Sequence, residues 1–275
     1  MNVLELLRAA KDHLAARGCD APRLDAELLL TRALECDRLD LYVSHDRPVS
    51  GEERALYRAL VKRRAAGEPV AYILGEREFF GLMFEVDRRC LVPRPETEHL
   101  VDEAVSLLGG RARPRIADVG TGSGCIAVSI AHEVPGACLV AVDAHEDALD
   151  VARANAARLV PDADIRFVCG DLCAPLRDDG PFDLIVSNPP YISTAEMTEL
   201  PKDVRDFEPT SALHAGEDPI AFHLRLVEEG LPLLAEGGAL VMEVGEDGAE
   251  RLRRHGEVRS INDLAGVARV VVVTG

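Results

Sequence analysis

The chain has 275 residues and a formal net charge of −17, from 48 acidic against 31 basic side chains. It has no tryptophan and few aromatic residues, which argues against a stacking surface for single-stranded nucleic acid. The acidity opposes a phosphate backbone, so no direct DNA binding is expected.

Residues 1–68 hold 12 basic and 12 acidic side chains, so the whole acidic excess lies after them. Val3, Leu4, Leu6, Leu7 and Ala10 recur at helical spacing, as do Leu24, Leu28, Leu29 and Ala33. Pro22 suits the start of a second helix. Ser50 and Glu53 form a capping box for a helix over 51–66, with Gly67 as its stop. This region is expected to be a small helical domain, either a plain bundle or a substrate-recognition module. A linker over 69–92 follows, in which 76–87 reads as a β-hairpin around Gly81. Pro95, Glu96 and Glu98 suit the first turn of a helix running to Leu108. The preceding loop is expected either to serve only as a helix start or to fold against a cofactor site.

From Arg115 the pattern alternates between strand and helix. Strands are expected at 115–120, 138–143, 165–170 and 182–188, with helices at 123–133 and 146–158. After a loop to about Asp218 come a helix over 219–235 and a strand over 239–244. A short helix over 247–255 and strands over 257–261 and 268–274 close the chain. Such alternation implies a mostly parallel sheet with helices on both faces, filling a region from 93 to 275.

Between the first of these strands and its helix lies Gly120-Thr121-Gly122-Ser123-Gly124. Glycines there permit a tight turn and close approach of a ligand to the main chain, and the helix start offers free N–H groups. Asp143 ends the next strand, where an acid can accept hydrogen bonds from ribose hydroxyls. Asp171 and Leu172 follow the third strand, in the usual neighbourhood of an adenine ring. Asn188-Pro189-Pro190-Tyr191 leaves the fourth strand at its carboxyl end. A planar –NH2 group, from an amide or a nucleobase, could give its two hydrogens to the Asn188 side chain and the Pro189 carbonyl, with Tyr191 against its flat face. A stiff Pro-Pro turn is the plain alternative. The order of glycine turn, ribose acid, third-strand acid and Asn-Pro-Pro-Tyr is that of an S-adenosylmethionine-dependent methyltransferase. Seven cysteines without a paired framework point to reduced thiols and a cytoplasmic setting. Cys169 and Cys173 lack companions at zinc spacing, so no metal is expected. No apolar run is long enough for a membrane span, and no signal pattern opens the chain.

Several stretches together resemble the HemK/PrmC family, the protein-(glutamine-N5) methyltransferases of class 1 peptide-chain release factors. They are Glu68-Pro69-Val70-Ala71-Tyr72-Ile73-Leu74-Gly75, Leu91-Val92-Pro93-Arg94-Pro95-Glu96-Thr97-Glu98, Asp118-Val119-Gly120-Thr121-Gly122-Ser123-Gly124, Ser187-Asn188-Pro189-Pro190-Tyr191-Ile192 and Phe207-Glu208-Pro209. The resemblance covers nearly the whole chain. It implies an α/β fold: a seven-stranded, Rossmann-like methyltransferase domain with a small N-terminal helical domain and a β-hairpin linker. It further implies S-adenosylmethionine as cofactor and a release factor as protein partner; a monomer is expected. By that resemblance the amides of 120–124 meet the methionine end and Asp118 lies near the ammonium. Asp143 takes the ribose, and Asp171 and Leu172 flank the adenine. Asn188, Pro189, Pro190 and Tyr191 form the slot for a glutamine amide. Two stretches depart from the family pattern: Ala215-Gly216-Glu217-Asp218-Pro219, and a short helix after Glu243-Val244-Gly245 that reaches Gly256 quickly.

Overall fold

Capping and burial explain the N-terminal helices. In the computed structural model, which describes residues 1–254, 258–263 and 266–274, helix α1 (Val3–Ala15) begins with a capping box. Asn2 Oδ1 accepts the Glu5 N–H, and the Glu5 carboxylate accepts the Asn2 N–H, both at 2.9 Å. Its face of Val3, Leu6, Ala10 and Leu14 is buried. Helix α2 (Pro22–Leu34) opens on proline and ends at Glu35 in the left-handed region. A short α3 (Arg38–Val43) precedes α4 (Gly51–Ala65), which is capped by Ser50 and Glu53 as the sequence implies. Leu14, Leu29, Leu30, Leu41 and Tyr57 share one core.

The chain folds as two compact units, and the first is 1–76 together with 201–207. It extends past the expected boundary at 68 because α5 (Val70–Leu74) buries Ala71, Tyr72 and Ile73, and Ile73 joins the helical core. Segment 201–207 belongs to the same unit. Arg64, 6% exposed, donates to Asp25 at 2.6 Å and pairs with Asp203 at 3.1 Å.

The second unit opens with the hairpin. Strands β1 (Glu76–Phe79) and β2 (Leu82–Glu85) are joined by Phe80 and Gly81, both at positive φ (51° and 72°), the geometry of a two-residue hairpin turn. A single 3₁₀ turn (Pro95–Thr97) leads into α6 (Glu98–Leu108). The sheet strands are then β3 (Arg115–Val119), β4 (Cys138–Asp143), β5 (Asp164–Cys169) and β6 (Phe182–Ser187). Helix α7 (Cys125–Glu133) joins β3 to β4, and α8 (Glu146–Leu159) joins β4 to β5.

The stretch read from sequence as one loop to about 218 holds more structure than expected. Strands β7 (Ile192–Ser193) and β8 (His214–Gly216) pair with each other, and α9 (Lys202–Phe207) lies between them in sequence. The expected helix over 219–235 is shorter: α10 (Ala221–Gly230) gives way to a 3₁₀ turn holding Pro232. Proline removes a helical N–H and clashes with the preceding turn. Strand β9 (Leu234–Glu243) therefore starts earlier than expected, pairing Leu234 with Phe182. Helix α11 (Gly248–Leu252), β10 (Val258–Asn262) and β11 (Ala268–Thr274) complete the chain. The expected helix end at 255, the approach to Gly256 and the strand start at 257 lie outside the described residues.

The seven-stranded sheet has the order β10-β11-β9-β6-β3-β4-β5. Strands β9, β6, β3, β4 and β5 run parallel, and β11 runs antiparallel to both of its neighbours. Its central strands are apolar runs because both faces are covered: Ala117, Val119, Ile185, Leu240 and Met242 are at most 1% exposed.

One side chain ties the hairpin to the sheet. Asn155 of α8, wholly buried, accepts the Glu85 N–H at 2.8 Å and donates to the Glu85 and Ser123 carbonyls, each at 2.9 Å. Asn155→Ala leaves these groups unpaired, at about 1–3 kcal/mol for each buried group. It should lower the urea unfolding midpoint clearly; an unchanged midpoint would show that the three bonds hold nothing.

Candidate functional site

The carboxyl ends of β3, β4, β5 and β6 open on one cleft, as expected where strand order reverses in an open α/β sheet. At its floor lies the glycine turn. The Gly120 and Thr121 N–H groups donate to the Val142 carbonyl at 2.8 and 2.9 Å, pinning the turn to β4. The Gly122 N–H donates to Asp143 Oδ2 at 2.8 Å, while Asp143 Oδ1 accepts the His145 N–H at 3.0 Å. Gly120 and Gly122 stand at φ 79° and 54°. Gly124 stands at 80°, and a Cβ there would lie 3.0 Å from that of Ala152. This glycine lets α7 and α8 approach each other; it does not line the cleft.

Gly120, Thr121, Gly122, Ser123, Asp143, Asp171, Leu172, Asn188, Pro189 and Pro190 all line the cleft. Asp171 is exposed and held by Arg225 at 2.8 Å. Leu172 adopts φ 46°. Ser187 Oγ donates to the Val119 carbonyl at 2.6 Å, which ties the end of β6, and hence the Asn-Pro-Pro loop, to the end of β3.

Two residues singled out from the sequence lie elsewhere. Tyr191 is outside the lining, and its hydroxyl donates to Glu243 Oε1 at 3.2 Å. Asp118 sits behind the glycine turn, wholly buried. Its Oδ2 accepts from Thr121 Oγ1 at 2.6 Å and from the Ala127 N–H at 3.1 Å, and its Oδ1 is buried without a partner.

The stretch before α6 forms a further wall, through Leu91, Pro93, Arg94 and Thr97. Two buried acids to which the sequence assigns no role hold it. Glu208, 5% exposed, accepts from Arg94 at 2.5 Å and from the Val92 N–H at 3.2 Å. Glu243, 2% exposed, accepts from Thr97 Oγ1 at 2.6 Å. The available signal for Glu243 was an acid closing the apolar run Leu240-Val241-Met242. Cys90 and Cys125 also line the cleft. Burial pushes both thiols up to about 12, so they are neutral packing groups.

Burial raises the Asp118 carboxyl to about 7, against the lowering effect of its hydrogen bonds from Thr121 and Ala127; the charge of Asp143 raises it further. The native state therefore holds a proton that the unfolded chain releases near its ordinary pKa of about 4. The stability this group contributes is present below that pH and is lost as pH rises through 7. Asp118→Asn removes the titration. Its unfolding free energy relative to wild type should rise between about pH 5 and pH 8 by about 3 kcal/mol. Urea titrations at the two pH values check this, and a constant difference would refute it.

Residues 5–75 match the family model described as PrmC N-terminal domain, and residues 98–202 match the Methyltransferase small domain. The chain is 42% identical over 280 residues to a release factor glutamine methyltransferase of Rhodopirellula baltica, covering 98% of this chain and 95% of that one. It is 45% identical over 262 residues to a release factor glutamine methyltransferase of Chlorobaculum tepidum, covering 92% and 88%. Among solved structures, the hMettl16 catalytic domain in complex with a MAT2A 3'UTR hairpin superposes with a TM-score of 0.58 at 19% identity, over 78% of this chain and 81% of that one. At that identity the likeness shows the methyltransferase fold alone. On the strength of its relatives, matched over almost their whole length, the chain belongs to the release factor glutamine methyltransferase family.

Proposed function

We propose that this chain transfers a methyl group from S-adenosylmethionine to the side-chain nitrogen of the glutamine in the Gly-Gly-Gln loop of class 1 peptide-chain release factors. The observation that carries this reading is that Asn188 and Pro189 share one cleft with the glycine turn and Asp143, in a chain whose relatives bear that name.

The residues present suit the cofactor. Where a Cβ of Gly122 would stand there is open space. Asp118 Oδ1 is a buried acceptor without a partner behind the same turn, which suits an ammonium group. Asp143 uses one lone pair of each oxygen on backbone N–H groups and keeps others for ribose hydroxyls. Gly120, Thr121, Gly122 and Ser123 would hold the methionine end, with Gly124 shaping the turn behind them, Asp118 the ammonium, Asp143 the ribose, and Asp171 and Leu172 the adenine. When bound, the cofactor supplies an electrophilic methyl group on sulfur.

An amide nitrogen is a poor nucleophile because its lone pair is delocalised into the carbonyl. Asn188 and the Pro189 carbonyl each accept one N–H of the glutamine and fix its nitrogen, with Pro190 beside it and Tyr191 bracing the loop. Positioning of this kind can lower a barrier by up to about 7–11 kcal/mol. The carboxylates lining the cleft among the described residues are those of Asp143 and Asp171, engaged by backbone N–H groups and by Arg225. Asn188 and Pro189 therefore act by holding the nitrogen, not by removing its proton. We assign recognition of the release factor to region 1–68, with 69–92 as linker and 93–275 as the catalytic part. The reading carries with it action as a monomer in the cytoplasm; no described helix is long and apolar enough to cross a membrane.

Radiolabelled cofactor incubated in parallel with release factor and with duplex DNA should label only the release factor, at its Gly-Gly-Gln loop. Label on DNA alone, or none at all, would overturn the reading. Asn188→Ala should abolish most turnover while leaving cofactor affinity near wild type, since its contact is made with the reacting group. Asp143→Ala removes charge-assisted hydrogen bonds of about 1.5–3 kcal/mol each and should weaken cofactor binding at least about tenfold by calorimetry.

A further inference from the structure

Thr97, Glu243 and Tyr191 form a hydrogen-bonded chain behind the Asn-Pro-Pro loop, and its direction is fixed by chemistry. The Glu243 side chain, at the end of β9, is withdrawn from water, which raises its pKa, while the hydrogen bonds from Thr97 and Tyr191 lower it; both hydroxyls aim at its oxygens, which accept. Oε2 receives the Thr97 hydroxyl at 2.6 Å and Oε1 the Tyr191 hydroxyl at 3.2 Å. The single Thr97 proton is thereby committed to Glu243. Its oxygen can then only accept, and it accepts from Asn188 Nδ2 at 3.2 Å. The Asn188 amide is planar, so its Oδ1 is turned away from Thr97. A flipped amide would set Oδ1 against Thr97 Oγ1 with no proton between two acceptors, a pairing that costs free energy wherever water is excluded. The strand end that carries Glu243 is anchored in turn: its backbone carbonyl is 2.8 Å from His223 Nε2. A carbonyl can only accept, so Nε2–H is the donor, and burial lowers the His223 pKa.

We infer that Thr97 and Glu243 are positioning residues that set the orientation of the Asn188 amide, so that its oxygen and not its –NH2 faces the substrate. The inference rests on the proposed reaction, in which Asn188 must accept an N–H from a glutamine amide. It explains the burial of a carboxylate that neither lines the cleft nor pairs with a cation at salt-bridge distance among the described residues. It also assigns Tyr191 a role away from the cleft surface, since the one carboxylate holds both ends of the Asn-Pro-Pro-Tyr loop, directly through Tyr191 and through Thr97 to Asn188.

The test uses the full chain with release factor as substrate. Thr97→Val keeps the shape of the side chain and removes both donor and acceptor. It should lower kcat by about tenfold or more, the effect of one lost positioning hydrogen bond, with KM and cofactor affinity within about twofold. Thr97→Ser restores the hydroxyl and should recover most of kcat. Glu243→Met removes both acceptors, frees the Thr97 hydroxyl proton to turn towards Asn188, and should lower kcat as Thr97→Val does. In the Asn188→Ala background Thr97→Val should have no further effect, because it acts through Asn188. Full kcat in a folded Thr97→Val variant, failure of the serine variant to rescue, or additive losses in the double variant would each overturn the inference.

A readout independent of turnover is the Asn188 side-chain –NH2 signal in an amide-proton NMR spectrum, assigned by its loss in Asn188→Ala. One of its two protons should be protected from exchange in wild type and in Thr97→Ser, and unprotected in Thr97→Val. Equal protection in all three would also overturn the relay. A wild-type chain that shows this pattern yet leaves release factor unmethylated would support the relay and refute the proposed reaction.

Discussion

Burial of carboxyl groups is the constraint around which the second unit is arranged. The side chains of Asp118, Glu208 and Glu243 are at most 5% exposed, and a carboxylate removed from water is tolerated only where donors replace the water. Each meets that demand by drawing in a residue that lines the cleft. Asp118 holds Thr121, Glu208 holds Arg94 and Glu243 holds Thr97. None of the three acids is itself in the lining. The cleft surface is thus set by carboxyl groups standing one layer behind it, so its hydroxyls and guanidinium are oriented before anything binds.

Strand order supplies the other half of the arrangement. Strand β3 lies between β4 and β6, so the glycine turn that leaves β3 has Asp143 on one side and Asn188 on the other. Two short bonds keep this register. Gly122 N–H to Asp143 joins turn to β4, and Ser187 Oγ to the Val119 carbonyl joins β6 to β3. The glycine turn and the Asn188 amide thereby meet at one cleft from segments more than 60 residues apart in sequence.

The parts of this arrangement legible in the sequence are those fixed by local chemistry. Glycines at 120, 122 and 124 need positive φ, and each has it; two prolines after Asn188 mark a stiff exit from a strand. What was not legible depends on which groups are buried together. An acid at the end of a strand looks the same in sequence whether it faces a cleft, as Asp143 does, or sits sealed behind a turn, as Asp118 does. The partners of Glu208 and Glu243 lie 114 and 146 residues away, beyond any local period. Tyr191 reads as a wall for the cleft only until its hydroxyl meets a buried acceptor. The segment over 201–207 carries too little apolar periodicity to mark a helix, and it joins the N-terminal unit through the charge of Asp203 on Arg64.

The clamp made by Asn155 couples two local openings. Its amide is the shared partner of the Glu85 main chain and of the Ser123 carbonyl in the glycine turn. Release of one end leaves the same side chain free to rotate, so the hairpin edge and the turn belong to one cooperative unit of opening and closing. Whatever stiffens the turn also slows the exposure of the Glu85 N–H to solvent, although that amide lies outside the cleft lining. Deuterium uptake at a single hairpin position thus serves as a gauge of order in the glycine turn.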